Sequence, residues 1–309
     1  MTTAPRLGSL CTGYGGLDAA VEAVFGAELA WCSEIDKDCA RLLADRFPHA
    51  PNLGDLRYVE WAEVEPVDIM CAGFPCQPFS TAGQRKGEDD ERAIFQYIAD
   101  GISVLRPRLV VLENVPGILT LGGPAVIAAL SALRYDCRWL VVRASDTGAP
   151  HRRARWFCIA ALTDADRRQR QGIGDTTRLG RRPDGCAAAD SGSERHGPGQ
   201  DARGVGLLDR RDEGTPRQWQ RARSEPGNRD SATAWDRYAP AVERWERILG
   251  RPAPAPTDSR GLRPEFVEWM MGLDAGWVCD VGLSRTAALK MLGNGVVPQQ
   301  AALAVDLLL

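Results

Sequence analysis

Short apolar runs alternate with amphipathic stretches from residue 6 to about residue 162. This alternation is typical of an α/β domain with a largely parallel sheet, in which helices connect buried strands. The apolar runs predict strands at residues 7–10, 29–32, 67–72, 109–112, 138–142 and 156–161. Residues 93–105 place Ile94, Ile98, Ile102 and Leu105 at helical spacing, so we expect a helix there with one face on the sheet.

The composition changes near residue 163. From there to about residue 260 the chain has about twenty arginines, no lysine and few aliphatic residues, so this stretch cannot build a large core. We interpret residues 163–262 as a partly irregular insert with one helix at 239–249 and a proline-rich connector at 251–256. Ordered periodicity resumes after residue 263 and ends in an apolar helix at 298–309.

Charge and cysteine usage narrow the class of protein. The net charge is −3, so any nucleic-acid surface must be a local basic patch. No apolar run approaches the roughly 20 residues that cross a bilayer, which favours a soluble intracellular protein. The nine cysteines form no CxxC pair, so most are expected to be buried thiols and no metal site is expected.

The sequence SLCTGYGGLD at residues 9–18 is the first candidate site. Its glycines would let the backbone approach a ligand, and Glu34 follows about twenty residues later, where an acid can accept hydrogen bonds from ribose hydroxyls. For a nicotinamide cofactor the pattern is imperfect, because Asp18 replaces the third glycine. The alternative is a tight turn without a ligand.

The sequence GFPCQPFS at residues 73–80 directly follows an apolar strand. Pro75 and Pro78 fix the backbone on both sides of Cys76, and the C-terminal edge of an open α/β sheet is where ligands bind. A nucleophilic cysteine is one interpretation, and a structural cysteine is the other.

Three further motifs carry candidate chemistry. Glu113 in LENVPG follows a buried strand and would lie beside the same edge as Cys76, or would simply cap a helix. Arg153 and Arg155 alternate on an extended segment, so both guanidinium groups are expected to face one pocket; an exposed basic strand edge is the alternative. Asn294 lies between two glycines in LGNGVVPQQA and precedes the last helix; the alternative is that this segment is only a turn that leads into the helix.

In this order, the five segments resemble the motifs of the DNA cytosine-C5 methyltransferase family, over about residues 7–162 and 263–309. The resemblance implies a Rossmann-like S-adenosylmethionine-binding catalytic domain at 1–162, a target-recognition region at 163–262, and a C-terminal segment at 263–309 that returns to the catalytic domain. It implies methyl transfer to C5 of a flipped-out cytosine in a specific duplex DNA site.

The resemblance also assigns residues. Cys76 would bond to C6 of the base, Glu113 would contact N3 and the exocyclic amine, and Arg153 and Arg155 would belong to the base pocket, with Arg155 nearer O2. The implied cofactor residues are Gly13, Tyr14, Gly15 and Gly16 around the methionine part, Glu34 at the ribose, Ile35 and Asp55 with Leu56 at the adenine, and Asn294 on the C-terminal side.

The chain departs from the family pattern at three positions. Cys11 replaces the usual aromatic residue, Ser9 replaces the usual acid, and His151 replaces the common glutamine. None of these removes a reacting group, so we expect activity.

The implied partner is double-stranded DNA. A cytoplasmic monomer in a bacterial or phage-infected cell is expected, with a cognate restriction endonuclease acting separately. Two rivals stay open: an RNA cytosine-C5 methyltransferase with the same motifs, and a catalytically silent nucleic-acid-binding homologue. A dinucleotide-dependent oxidoreductase would leave Cys76 and its flanking prolines unexplained.

Overall fold

The computed structural model describes residues 4–75, 94–163 and 235–309. Its main sheet has six strands: β1 (Arg6–Leu10), β2 (Glu28–Ser33), β3 (Ile69–Gly73), β4 (Leu109–Asn114), β5 (Tyr135–Arg143) and β6 (Ala154–Leu162). All six predicted strands are confirmed, with ends that differ by about three residues at most. A short hairpin of β7 (Thr257–Asp258) and β8 (Gly261–Leu262) was not predicted, because two-residue strands leave no periodic pattern.

The order of the strands in the sheet is β2-β1-β3-β4-β6-β5. Strands β1 to β4 are mutually parallel, whereas β6 runs antiparallel to both β4 and β5. The connection between Arg143 and Ala154 is shorter than the dozen or more residues that a parallel crossover needs, so the chain reverses there. The predicted largely parallel α/β fold is confirmed.

Nine helices accompany the strands in the described part of the chain. They are α1 (Gly16–Phe25), α2 (Lys37–Arg46), α3 (Ile94–Leu105), α4 (Ile118–Leu121), α5 (Gly123–Ala132), α6 (Ala239–Leu249), α7 (Pro264–Met270), α8 (Arg285–Asn294) and α9 (Pro298–Leu308). The three helices predicted with explicit bounds correspond to α3, α6 and α9 and are confirmed.

The sheet separates two apolar clusters. Because side chains alternate along a strand, Val111 of β4 packs in the cluster that includes α1 and α9, whereas Val110 and Leu112 pack in the cluster that includes α3 and α5. Helix α9 lies against α1 and β5. The last residues of the chain therefore pack beside its first helix.

Helix α6 is docked onto the C-terminal segment. Trp245 is fully buried and its indole nitrogen donates a hydrogen bond to the carbonyl of Trp269 at 3.0 Å. Trp235 stacks on Phe266, with ring centroids 5.6 Å apart. The part of the predicted insert at residues 164–234 lies outside the described residues.

No helix in the three described ranges is long and apolar enough to span a membrane.

Candidate active site

A cavity of about 790 Å³ opens at the carboxyl ends of the parallel strands. This is the edge at which open α/β sheets bind ligands. Its walls are the loop after β1, the residues that follow β2, the ends of β3 and β4, and one face of α8. Of the predicted site residues, it brings together Gly13, Gly16, Glu34, Ile35, Asp55, Leu56, Glu113, Arg155 and Asn294.

The glycine loop between β1 and α1 needs its glycines for two different reasons. Gly13 and Gly15 have φ values of 59° and 83°, a left-handed region that other residues rarely adopt. Gly16 has no such φ, but a Cβ there would lie 2.2 Å from the carbonyl oxygen of Val296. The loop is thus pressed against the C-terminal segment.

Tyr14 does not line the cavity, although it was predicted among the cofactor residues. Its side chain is fully buried, and its hydroxyl donates to the carbonyl of Val296 at 2.7 Å. Its own carbonyl accepts a hydrogen bond from the indole of Trp277 at 2.9 Å. Tyr14 therefore links the glycine loop to Val296 and Trp277 of the C-terminal segment. Gly15 also lies outside the cavity lining, next to the ring of Phe47.

Glu34 is fixed by backbone donors at the end of β2. Its carboxylate accepts from the amides of Gly13 and Asp36, both at 2.8 Å. The neighbouring Ile35 is 68% exposed and lines the cavity with its apolar side chain. Asp36 caps α2 and forms an ion pair of 3.0 Å with Lys290 on α8. Sequence reasoning missed this pair, because 254 residues separate its members.

Asp55 has a close cationic partner. Arg57 forms hydrogen bonds to both carboxylate oxygens, the shortest at 2.7 Å, and this contact lowers the pKa of Asp55 below its usual range. Leu56 is buried beside it. The sequence signal for this pair is an arginine two residues after the acid.

Glu113 and Arg155 form a buried ion pair, with Nε and Oε1 3.0 Å apart and side chains 9% and 16% exposed. Burial raises the pKa of Glu113 to about 7, and the charges of Arg155 and Arg153 limit the rise. A carboxyl group in this environment holds a proton over part of the neutral range. The last residue of β3, Gly73, is paired with Glu113 in the sheet.

The loop that leads to the predicted nucleophile starts beside this pair. A Cβ on Gly73 would lie 3.5 Å from the carboxylate of Glu113. One residue further along each segment, the side chain of Asn114 donates to the carbonyl of Phe74 at 3.0 Å and ties the loop to β4. Pro75 is the last described residue of this loop, and Cys76 lies outside the described residues.

The two arginines that were expected to share one pocket have different hydrogen-bond partners in the described structure. Arg155 lies in β6 and lines the cavity, but Arg153 precedes the strand and has a φ of 30°. Residues two apart point the same way only on an extended backbone, so the φ of Arg153 gives its side chain a different direction from that of Arg155. The guanidinium group of Arg153 donates instead to the carbonyls of Gly293, at 3.0 Å, and Gly295.

Ser9 and Cys11, two departures from the family pattern, lie at the base of the glycine loop. Ser9 is buried, and its hydroxyl is 2.9 Å from that of Thr12. Burial raises the pKa of nearby Asp18 to about 6, partly offset by a hydrogen bond from Ser9. The sulfur of Cys71 donates to Oδ1 of Asp18 at 3.5 Å, whereas Oδ2 is buried without a protein partner among the described residues.

Two curated relatives illustrate the similarity of the sequence to known proteins. The chain is 33% identical to the type II methyltransferase M.HhaI of Haemophilus parahaemolyticus over 167 residues, which are 52% of this chain and 50% of that protein. It is 33% identical to the type II methyltransferase M.DsaV of Dactylococcopsis salina over 157 residues, 48% of this chain and 44% of that protein. The matches span about half the length of these relatives or less.

The fold is also similar to that of solved structures. The S. pombe Dnmt2 methyltransferase superposes with a TM-score of 0.60 at 14% identity, over 98% of each chain. At this identity the likeness concerns the fold alone. The family model described as C-5 cytosine-specific DNA methylase matches residues 6–181, more than half of the chain. The chain therefore belongs to the family of C-5 cytosine-specific DNA methylases.

Proposed function

We propose that this protein is a DNA cytosine-C5 methyltransferase that uses Cys76 as its nucleophile. One observation carries the proposal: the Glu113–Arg155 pair lies beside the loop that leads into Cys76, in the same cavity as the glycine loop and Glu34. A carboxyl group near neutral pKa next to a thiol-bearing loop suits addition to a pyrimidine ring.

The cavity fits S-adenosylmethionine in size and in chemistry. Its volume is within the roughly 300–1,000 Å³ typical of sites for small molecules. Gly13 has open space where a side chain would be, Glu34 offers a carboxylate for hydroxyl donors, and Ile35 offers an exposed apolar surface. The residues that would hold the cofactor are Gly13, Gly16, Glu34, Ile35, Asp55, Leu56 and Asn294. When bound, S-adenosylmethionine supplies an electrophilic methyl group.

In the proposed reaction the Cys76 thiolate forms a bond to C6 of cytosine. The electron pair of the C5–C6 double bond then becomes available at C5, which takes the methyl group. Afterwards the C5 proton passes to solvent water, and the electron pair of that C–H bond restores the C5–C6 double bond. The bond between sulfur and C6 breaks to release the Cys76 thiolate, and N3 returns its proton to Glu113. Thiolate formation is required for the first step.

Glu113 would hold a proton for N3 of the base while the thiolate adds. Its raised pKa keeps part of the carboxyl group protonated near neutral pH, where a proton donor is most useful. After the transfer, the carboxylate is stabilised by Arg155 at 3.0 Å. Arg155 therefore balances the charge that Glu113 acquires in the reaction.

We infer that duplex DNA is the substrate and that residues 163–262 recognise the target, with the protein acting as a monomer. The base must leave the duplex, because C5 is otherwise stacked inside it. Four arginines of the described part of this region are exposed and available to phosphates or guanine edges: Arg237, Arg244, Arg247 and Arg260.

Methyl incorporation by the purified protein tests this function. Labelled S-adenosylmethionine is supplied with unmethylated duplex DNA or with transfer RNA, and the DNA product is read by bisulfite sequencing. We expect labelled DNA with modified cytosines in one sequence context. Labelling of RNA alone would overturn the DNA assignment, and labelling of neither would favour a silent nucleic-acid-binding homologue.

A further inference from the structure

We propose that Arg153 is a positioning residue of the cofactor wall and that it acts through the loop formed by Gly293, Asn294 and Gly295. This inference rests on the proposed function, because it assigns a role within the same cavity. Arg153 would then have a different role from Arg155, which lines the cavity and pairs with Glu113.

The guanidinium group of Arg153 donates its hydrogen bonds to the loop at the end of α8. One nitrogen, Nη2, donates to the carbonyls of Gly293 and Gly295, on either side of Asn294. Helix α8 ends at Asn294, and the last four carbonyls of a helix have no partner inside it. A cation at this end also interacts favourably with the helix dipole. Arg153 thus stabilises the end of α8.

The backbone of Arg153 is held in a strained conformation. Its φ of 30° is unusual for a residue with a side chain. The buried side chain of Gln300 donates to the carbonyl of Arg153 at 2.7 Å and to that of Val142 at 2.8 Å. Strain of this kind persists only where the surroundings impose it. Helix α9, which contains Gln300, thereby fixes the direction of Arg153.

The loop of residues 293–295 is also packed closely against Tyr14. A Cβ on Gly295 would lie 1.7 Å from the ring of Tyr14, and the Tyr14 hydroxyl holds Val296 at 2.7 Å. Arg153 and Tyr14 hold the loop from two sides. Asn294, between them, is left exposed to the cavity.

The test is the affinity for S-adenosylhomocysteine, measured by calorimetry on the full chain. Arg153→Met should weaken binding about tenfold or more, because two charge-assisted hydrogen bonds are lost. Arg153→Lys keeps the charge and one donor group, so it should recover part of the affinity. Tyr14→Phe, which removes only the hydroxyl contact, should weaken binding by a smaller factor. The exposed neighbour Arg152 provides the control, since Arg152→Met should leave the affinity unchanged.

Kinetics distinguishes this role from a base contact. In Arg153→Lys we expect a raised KM for S-adenosylmethionine, with the KM for DNA and the pH profile of kcat retained. Unchanged binding of S-adenosylhomocysteine in both Arg153 variants, with activity lost, would instead make Arg153 a base contact and overturn the inference. A wild-type protein that does not bind S-adenosylhomocysteine would overturn the proposed function itself.

Discussion

Arg155 donates from Nε to Oε1 of Glu113 at 3.0 Å, across the antiparallel junction of β4 and β6. The pair lies at the end of β4, and both side chains line the cavity. Because the strand that runs backwards supplies the arginine and a parallel strand supplies the acid, the two charges meet although 42 positions separate them in the sequence.

Replacement of Glu113 tests the proton donor. Glu113→Gln keeps the shape of the side chain but cannot supply the proton, so kcat should fall roughly 100-fold or more while binding of S-adenosylhomocysteine persists. Since the pKa of Glu113 is raised to about 7, the wild-type kcat should also decline as pH rises above about 7, and this limb should be absent from the residual activity of the variant. Glu63→Gln, at an exposed position outside the cavity lining, should change neither property.

Replacement of Cys76 tests the covalent step. Cys76→Ser should abolish methyl transfer, because a serine hydroxyl forms far less of its anion at neutral pH than a thiol does. Binding of S-adenosylhomocysteine should stay near the wild-type value. Cys279→Ser, at a half-buried cysteine outside the cavity lining, is the control and should retain activity. Full methylation by Cys76→Ser would refute the covalent mechanism.

Gly16→Ala tests how tightly the glycine loop packs on the C-terminal segment. The added methyl group would meet the carbonyl of Val296 at 2.2 Å, so one of the two segments must shift. We expect a loss of about 1–3 kcal/mol in the free energy of unfolding and weaker binding of S-adenosylhomocysteine.

The matched control is Gly26→Ala, at the end of α1. There the new methyl group meets nothing within 4 Å, but φ is 63°. It should therefore cost only about 1–2 kcal/mol from backbone strain and leave ligand affinity intact. Equal ligand affinities in the two variants would contradict close packing at Gly16.

Asp18→Asn tests the buried carboxyl group under the glycine loop. Burial raises the pKa of Asp18 from 3.8 to about 6, so the folded state favours the protonated form. The resulting stabilisation of the folded state is fully present below about pH 4 and is lost as pH rises through about 6. It amounts to about 2–3 kcal/mol, because each tenfold change in proton affinity corresponds to about 1.4 kcal/mol. Asparagine stays neutral throughout, so the variant should lose less stability across this pH range.

Thermal unfolding between pH 4 and pH 8 measures this difference. The exposed Asp38 is the control, and Asp38→Asn should follow the wild-type curve. Glu22 also has a raised pKa, of about 7, and it persists in the variant, so some pH dependence should remain. Identical curves for Asp18→Asn and the wild type would show that the Asp18 carboxyl group is not desolvated.

The local patterns of the sequence predicted most of the elements of the fold. Apolar runs located all six strands of the main sheet, and helical spacing located α3, because a strand or helix that covers a core imposes its own period on the chain. The same patterns did not indicate that β6 runs backwards, since an antiparallel and a parallel buried strand have the same composition. The length of the connection before it was the available signal.

The sequence by itself determined which residue types stand at the carboxyl ends of the strands: Gly13, Glu34 and Glu113 are motif residues, and each lines the cavity. Only the tertiary structure decided how their neighbours are used. It turned Tyr14 toward Val296, 282 residues away, and directed Arg153 to the loop around Asn294. Motifs reflect the local backbone and side-chain requirements of a position, whereas contacts between residues so far apart in the sequence depend on how α8 and α9 pack against the sheet.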